Sequence, residues 1–453
     1  MSFLDSEFFQ PLYEALESGH PDEIQTAASS YNAADLADFI EYTGAEDDAK
    51  GLALLQSLPA DQQAKVFGYI EPDMQKILAR LIPKGALAGI VTDMSADERA
   101  DFFNLLDENQ QHALFQSLAS REREDLLRLA SFEEGTAGAI MTSDYAVVSS
   151  GMTVASALSL LRNTAPDKET IYQAYVVDKS HKLLGAISLR NLIISAPGAL
   201  VDSLMATGLV FTRTDTEQEE VARLISRYDL LALPIVDDDE RLVGIVTYDD
   251  AMDVAEAEAT EDMHKGATVG RLDTSFKTAS PFSLYRSRVQ WLVILVFGNI
   301  FTGAGIAYFE QTISAHIALL FFMPLLVASA GNAGAQSATL MIRGMATGDV
   351  TTRDWGMLLG KDILVATGLG LTMALAVMVI GLFRASPAIA MVVSITMVTV
   401  VLMGSVIGML LPFLLDKLKF DPATASTPLI TTIADVSGVL IYFSIATAVL
   451  GLG

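Results

Sequence analysis

The chain has 453 residues, 51% of them hydrophobic, no cysteine and a formal net charge of −26. The charge is uneven: residues 1–280 hold 21 Lys and Arg against 48 Asp and Glu, whereas residues 281–453 hold 8 against 7. So acidic a surface repels phosphate backbones, which argues against nucleic acid as a partner, and it attracts divalent cations. The lack of cysteine removes disulfides and thiolate metal sites and fits a cytosolic first half, and the opening MSFLDSEFFQ lacks the basic and apolar regions of a cleavable signal.

Residues 1–135 read as a helical superhelix. From Leu58 a 12-residue period runs through Ile70, Ile82, Met94, Leu106 and Leu118. An apolar pair follows eight and nine residues into each unit, from Val66-Phe67 to Leu126-Leu127. Pro59, Pro83 and Ser95 directly follow unit starts and Pro72 lies one place later, as expected at helix N-termini. One short helix per unit, stacked on its neighbours, satisfies this pattern.

A longer repeat follows. YVVDKSHKLLGAISLRNLI (175–193) matches PIVDDDERLVGIVTYDDAM (234–252) at an offset of 59, each reading as strand, polar turn, strand and helix start. The repeat resembles a tandem pair of CBS domains, here 136–200 and 201–255. The pattern G-x-x-[ST]-x-x-[ND] occurs as Gly185/Ser188/Asn191 and again as Gly244/Thr247/Asp250. In CBS pairs such a pattern often marks an adenosine nucleotide site, so the resemblance implies ATP as a regulator, with Ser188, Arg190 and Asn191 as candidate contacts. Residues 248–270 are alanine-rich, strongly helical by propensity and dense in acids. Asp250, Asp253 and Glu261 fall near one face with Glu258 beside them, and like charges at that spacing call for a counter-ion.

Five apolar runs are long enough to span a bilayer, which takes about 20 residues: near 289–309, 313–345, 357–383, 387–415 and 427–452. Basic residues gather before the first run (Lys277, Arg286, Arg288), around the second connection (Arg343, Arg353, Lys361) and between the fourth and fifth runs (Lys417, Lys419). The positive-inside rule then places the N-terminus in the cytoplasm and the C-terminus outside.

The fifth run carries an acid, Asp435, at a position costing about 2.5–3.5 kcal/mol on insertion scales. Thr431 and Thr432 precede it by a turn and Gly438 follows by a turn. The second run places Asn332, Gln336 and Thr339 on one face, with Gly331, Gly334, Ala335 and Ala338 allowing close helix approach. With no Lys or Arg near mid-span, Asp435 reads as the only mid-membrane carboxylate and its expected partner is a passing cation. Hard oxygen ligands favour Mg²⁺, Ca²⁺ or Mn²⁺ over Zn²⁺ or Cu⁺. A single carboxylate suits an ion that keeps its waters, as Mg²⁺ does. A homodimer would bring two such carboxylates to one axis.

GNAGAQSATL, DPATASTPLITTIADVSG and the order of helical domain, CBS pair, acidic helix and five spans resemble the MgtE family of magnesium channels. The resemblance implies a multi-domain membrane protein: an α-helical superhelical N domain, an α/β tandem CBS pair and an all-α transmembrane domain of five helices at 281–453. It implies a homodimeric, Mg²⁺-selective uptake channel of the inner membrane, with Mn²⁺ and Co²⁺ as further candidate ions. Asp435 would hold hydrated Mg²⁺ in a pore between the second and fifth helices, and an acidic plug helix at 250–275 would link sensor to gate. By motif the sensing acids would be Glu217, Glu219, Asp229, Asp250, Glu258, Glu261, Asp262 and Asp421, with Asp93 and Asp97 as candidates in the N domain. Where the family pattern often reads G-N-x-G-N-Q-S-A-T, this chain has Ala335 for the second Asn. Two rivals stand beside the channel: a CBS-regulated, ion-coupled secondary transporter for divalent cations, and a membrane-tethered sensor that conducts nothing. No nucleophile–base pair, phosphate loop or metal-hydrolase motif suggests an enzyme.

Overall fold

The computed structural model describes residues 8–44, 48–270 and 279–451; Lys277 and the 271–275 end of the expected plug segment lie outside these. The chain forms two compact units, Met1–Ala255 and Glu256–Gly453.

In the first unit, ten helices from Gln10–Ser18 to Ser120–Ala130 precede the first strand among the described residues. The 12-residue period has a direct cause. Ile70, Ile82, Met94, Leu106 and Leu118 each end a helix in extended backbone while remaining buried. The chain therefore turns after about three helical turns and the turn residue is pinned in the core. Between these pins the apolar pairs fill the interior: Val66, Phe67, Leu78, Ala79, Ile90, Val91, Phe102 and Phe103 are all buried. The pairing decays at the end of the array, where Leu127 is 49% exposed, as expected of a terminal repeat.

The strands β1 (Tyr145–Ser149), β2 (Thr170–Val177) and β3 (Leu183–Ser188) form one sheet, and β4 (Thr212–Arg213), β5 (Ala232–Val236) and β6 (Leu242–Thr247) form a second. In both, the middle strand runs parallel to the first and antiparallel to the third. The two repeats meet symmetrically: the amide of Leu183 donates to Glu240 (3.2 Å) and that of Leu242 to His181 (3.1 Å). His181 and Glu240 both take left-handed backbone, at φ 68° and 61°. The repeated glycines have a steric cause. A Cβ on Gly185 would lie 2.6 Å from the Ala206 carbonyl oxygen, and one on Gly244 would lie 3.0 Å from that of Thr142. These are the points where flanking segments bridge the sheets, as Ala186–Ala206 and Thr142–Ile245.

The helix Tyr248–Gly266 carries the chain across the boundary between the units. Five helices long and apolar enough to cross a membrane then follow among the described residues: Pro281–Tyr308, Ala318–Ala346, Trp355–Arg384, Pro387–Lys417 and Thr427–Leu450. The first begins earlier than its apolar run, because Ser280 caps it by accepting from the Ser283 amide at 3.1 Å. The second begins at Ala318 rather than near 313, since the polar stretch before it folds as a separate short helix, Glu310–Ala315.

The core of this unit lies among the second, fourth and fifth spans, with Phe322, Leu326, Val393, Met397, Val400, Tyr442 and Phe443 buried together. The second and fourth spans touch backbone to backbone. A Cβ on Gly404 would sit 2.2 Å from the Ala330 carbonyl oxygen, and one on Gly408 would sit 1.9 Å from that of Gly334. Backbone cannot yield as a flexible side chain does. Gly404→Val and Gly408→Val are each predicted to cost at least about 1–3 kcal/mol through overpacking, read as a lower melting temperature and loss of the monodisperse peak in detergent. Gly368→Val, with open space at its Cβ, is the control expected to stay native.

Candidate cation sites

Asp435 lies two turns into the fifth span and is half-buried. It has no hydrogen-bond or ion-pair partner among the described residues. Thr431 and Thr432 donate their hydroxyls to the Pro428 carbonyl at 3.0 and 2.8 Å, which leaves their oxygens able to accept. The Thr431 methyl carbon would stand 3.0 Å from a Cβ on Gly331, and the Thr432 methyl carbon 2.7 Å from a Cβ on Gly298. The turn before Asp435 is thus wedged against the second and first spans. Gly438 is buried, with Val327 of the second span nearest to it, so it belongs to the packed seam. On the second span Asn332, Gln336 and Thr339 share an exposed face, opposite the buried Ala330, Gly334 and Ser337.

One intramembrane acid escapes the sequence reading. Asp362 lies two turns into the third span, where its oxygens accept from Ser337 of the second span (3.1 Å) and Ser405 of the fourth (2.9 Å). Asp435 is therefore not the only carboxylate within the spans. The signal was present in the run 357–383, but the adjacent Lys361 made the position read as a helix end.

A basic residue was also missed. Lys265, in the last turn of Tyr248–Gly266, lies 2.5 Å from both Glu261 and Asp421. Two of the acids expected to sense a free cation thus share a tethered one. Asp262 beside them is held above the usual carboxylate range, first by burial and then by the Asp421 charge.

In the first unit, acids from separate elements share one field. Asp97, Glu98 and Asp101 lie on the helix Ala96–Leu105, Asp249 and Asp250 in the first turn of Tyr248–Gly266, and Glu169 directly before β2. Burial, and next the Asp97 charge, push Asp101, Glu169 and Asp250 each up to about 7. Burial also raises Asp97, against hydrogen bonds from its own backbone, Thr142 and Ser95, and one of its oxygens is buried without a partner. Asp93 is exposed at the end of its helix. Among the described residues no three His, Asp or Glu side chains converge tightly enough to hold a bare metal ion.

Glu217, Glu219 and Asp229 lie at the two ends of one helix, Gln218–Tyr228, whose 11 residues span about 16 Å. Glu217 and Asp229 therefore cannot ligate one ion within a single chain. Asp229 also ends that helix in left-handed backbone, at φ 50°. Ser188 caps the helix Leu189–Ile194 by accepting from the Asn191 amide at 3.1 Å, and Arg190 and Asn191 are exposed. In the second repeat the roles reverse: Asp250 accepts from the Thr247 hydroxyl at 2.5 Å and from its amide at 3.4 Å. The [ST]-x-x-[ND] spacing thus closes the first turn of the following helix in both repeats.

Five apolar spans behind a helical array and a paired α/β module define a multi-pass membrane protein with an accessory domain. Family models match the MgtE intracellular N domain over residues 31–135, the CBS domain over 137–197 and 201–257, and a family described as divalent cation transporter, MgtE, over 323–445. The chain is 40% identical to the magnesium transporter MgtE of Thermus thermophilus, over 97% of this chain and 98% of that one. It is 34% identical to the magnesium transporter MgtE of Bacillus subtilis, over 87% of each. A crystal structure of the cytosolic domain of the Mg²⁺ channel MgtE in complex with ATP superposes with a TM-score of 0.52 at 38% identity, covering 54% of this chain and 99% of that one. The chain belongs to the MgtE family.

The acids raised to about 7 make the first unit sensitive to pH. Each binds its proton more tightly in the folded unit than in the unfolded chain, so the stability it contributes is fully present below about pH 4 and lost as pH rises through about 7. In chelator, the full-length protein is predicted to lose stability in this unit between about pH 4 and pH 7 and to level off above, read by hydrogen exchange over 96–105 and 248–255. Added Mg²⁺ should reverse the loss, and Asp250→Asn should flatten it.

Proposed function

We propose that this protein is a homodimeric Mg²⁺ channel of the cytoplasmic membrane, with its N-terminal half in the cytoplasm, closed when cytosolic Mg²⁺ binds its acidic groups. The observation that carries the reading is Asp435, a half-buried carboxylate within the fifth span that has no partner among the described residues. Its desolvation is costly, and a transient divalent ion is the compensation that the rest of the span supports. Hydroxyls of Thr431 and Thr432 and amides of Asn332 and Gln336 suit the water shell of Mg²⁺ better than bare coordination. Two copies of Asp435 on a dimer axis would balance the charge of one such ion. The Mg²⁺ transport named for relatives at 40% and 34% identity supports the same cargo here.

Closure follows from linkage. Like charges gathered at Asp97, Glu98, Asp101, Glu169, Asp249 and Asp250 repel without cations and draw together around hydrated Mg²⁺. At the other end of the acidic helix, Glu261, Asp262 and Asp421 against Lys265 leave a net charge of −2, again the complement of one divalent ion. Glu217, Glu219, Asp229 and Glu258 complete the proposed sensing set. Mg²⁺ shifts the equilibrium only by binding the closed form more tightly, and a full switch needs about 5.5 kcal/mol, so several ions must share it. ATP bound by a relative's cytosolic domain supports adenine nucleotide as a second regulator at the CBS pair, near Ser188, Arg190 and Asn191.

In a magnesium-requiring strain Asp435→Ala is expected to abolish growth at low Mg²⁺ while the protein inserts and dimerises normally. Wild-type uptake by that variant would remove the pore assignment. Mg²⁺ current across a planar bilayer with no H⁺ or Na⁺ gradient separates the channel from an ion-coupled secondary transporter, which would carry none.

A further inference from the structure

At Ala330/Gly404 and Gly334/Gly408 the seam between the second and fourth spans is backbone against backbone. Ala330 and Gly334 face Gly404 and Gly408 at distances that admit no Cβ. Such contacts bring two helices close but resist rotation and sliding weakly, because dispersion between smooth surfaces has little direction. Hydrogen bonds do have direction. Beside this seam, Ser337 and Ser405 lie 2.7 Å apart, both buried, and each reaches a different oxygen of Asp362 on the third span, at 3.1 and 2.9 Å. Both carboxylate oxygens are thereby engaged, and Asp362 has no ion-pair partner among the described residues. The four oxygens of this cluster are thus taken up with one another, and the hydrogen bonds join three helices.

Ser337 directly follows Gln336 and stands two residues before Thr339. One residue of helical rotation, about 100°, would carry Asn332 and Gln336 off the face they share. We infer that Asp362 is a positioning residue of the ion path: by holding Ser337 and Ser405 it sets the rotation of the second span and so presents Asn332 and Gln336 to the passing ion. The inference rests on the proposed path and adds to it the group that fixes the wall.

The chain contains no cysteine, so single thiols can report the rotation directly. In otherwise native full-length protein, a water-soluble cationic thiol reagent should modify Asn332→Cys readily and Ala333→Cys slowly. Adding Asp362→Leu should slow the first and speed the second, and should lower the ratio of Mg²⁺ to Ca²⁺ flux by about tenfold, the size of one lost hydrogen bond. Asp362→Asn, which can still bridge both serines, should restore pattern and ratio. If Asp362→Leu does not fold, Ser337→Ala with Ser405→Ala carries the same reading. A folded variant with a lower melting temperature but unchanged labelling and ratio would overturn the inference and leave the cluster as a structural fastening. Failure to label Asn332→Cys even without Asp362→Leu would overturn the path reading, and this inference with it.

Discussion

A carboxylate inside an apolar helix must find compensation, and the two such groups in this membrane unit find it differently. Asp362 takes two serine hydroxyls from neighbouring spans, whereas Asp435 has no partner among the described residues. Burial alone cannot explain the difference, since both are half-buried. The local sequence can: Asp362 stands opposite a seam where glycines have drawn two helices together, and the serines beside those glycines fall within reach. Asp435 follows Thr431 and Thr432, whose hydroxyls are turned back onto Pro428 of their own helix. The first acid is satisfied by two neighbouring spans, and the second has no hydrogen-bond or ion-pair partner among the described residues.

The acidic first unit presents the same logic outside the membrane. A helix dense in Asp and Glu is unfavourable by itself, and placing Asp97, Glu98 and Asp101 of another helix near its first turn adds to the repulsion. Apolar burial holds the arrangement: Ala251 and Val254 pack into the same core as Ala100, Phe102 and Phe103. Hydrophobic contact thus holds like charges together, and the electrostatic strain gives any bound cation a large effect on how firmly the elements stay together.

The repeats and the polar stripes were legible in the sequence because each follows a period: 12 for the helical array, 59 for the CBS halves, and helical spacing for Asn332, Gln336 and Thr339. Residues whose roles depend on another element were not legible. Asp362 makes sense only beside Ser337 and Ser405, 25 and 43 residues away, and Lys265 only beside Asp421, 156 residues away. Asp101 and Glu169 join the acid group through tertiary burial, with no motif to mark them. Gly438, one turn after Asp435 on the same stripe, is buried with Val327 of the second span nearest to it, a neighbour that helical spacing does not reveal.

The two acid groups also differ in what can neutralise them. Lys265 sits between Glu261 and Asp421, a fixed ammonium 2.5 Å from both. No lysine or arginine acts on Asp97, Asp101, Glu169 or Asp250 among the leading influences on them. A proton or an added cation can neutralise them, and Asp101, Glu169 and Asp250 are each pushed up to about 7. Under the function proposed above, Mg²⁺ taken up by this group would release protons near neutral pH, so regulation through it would depend on pH.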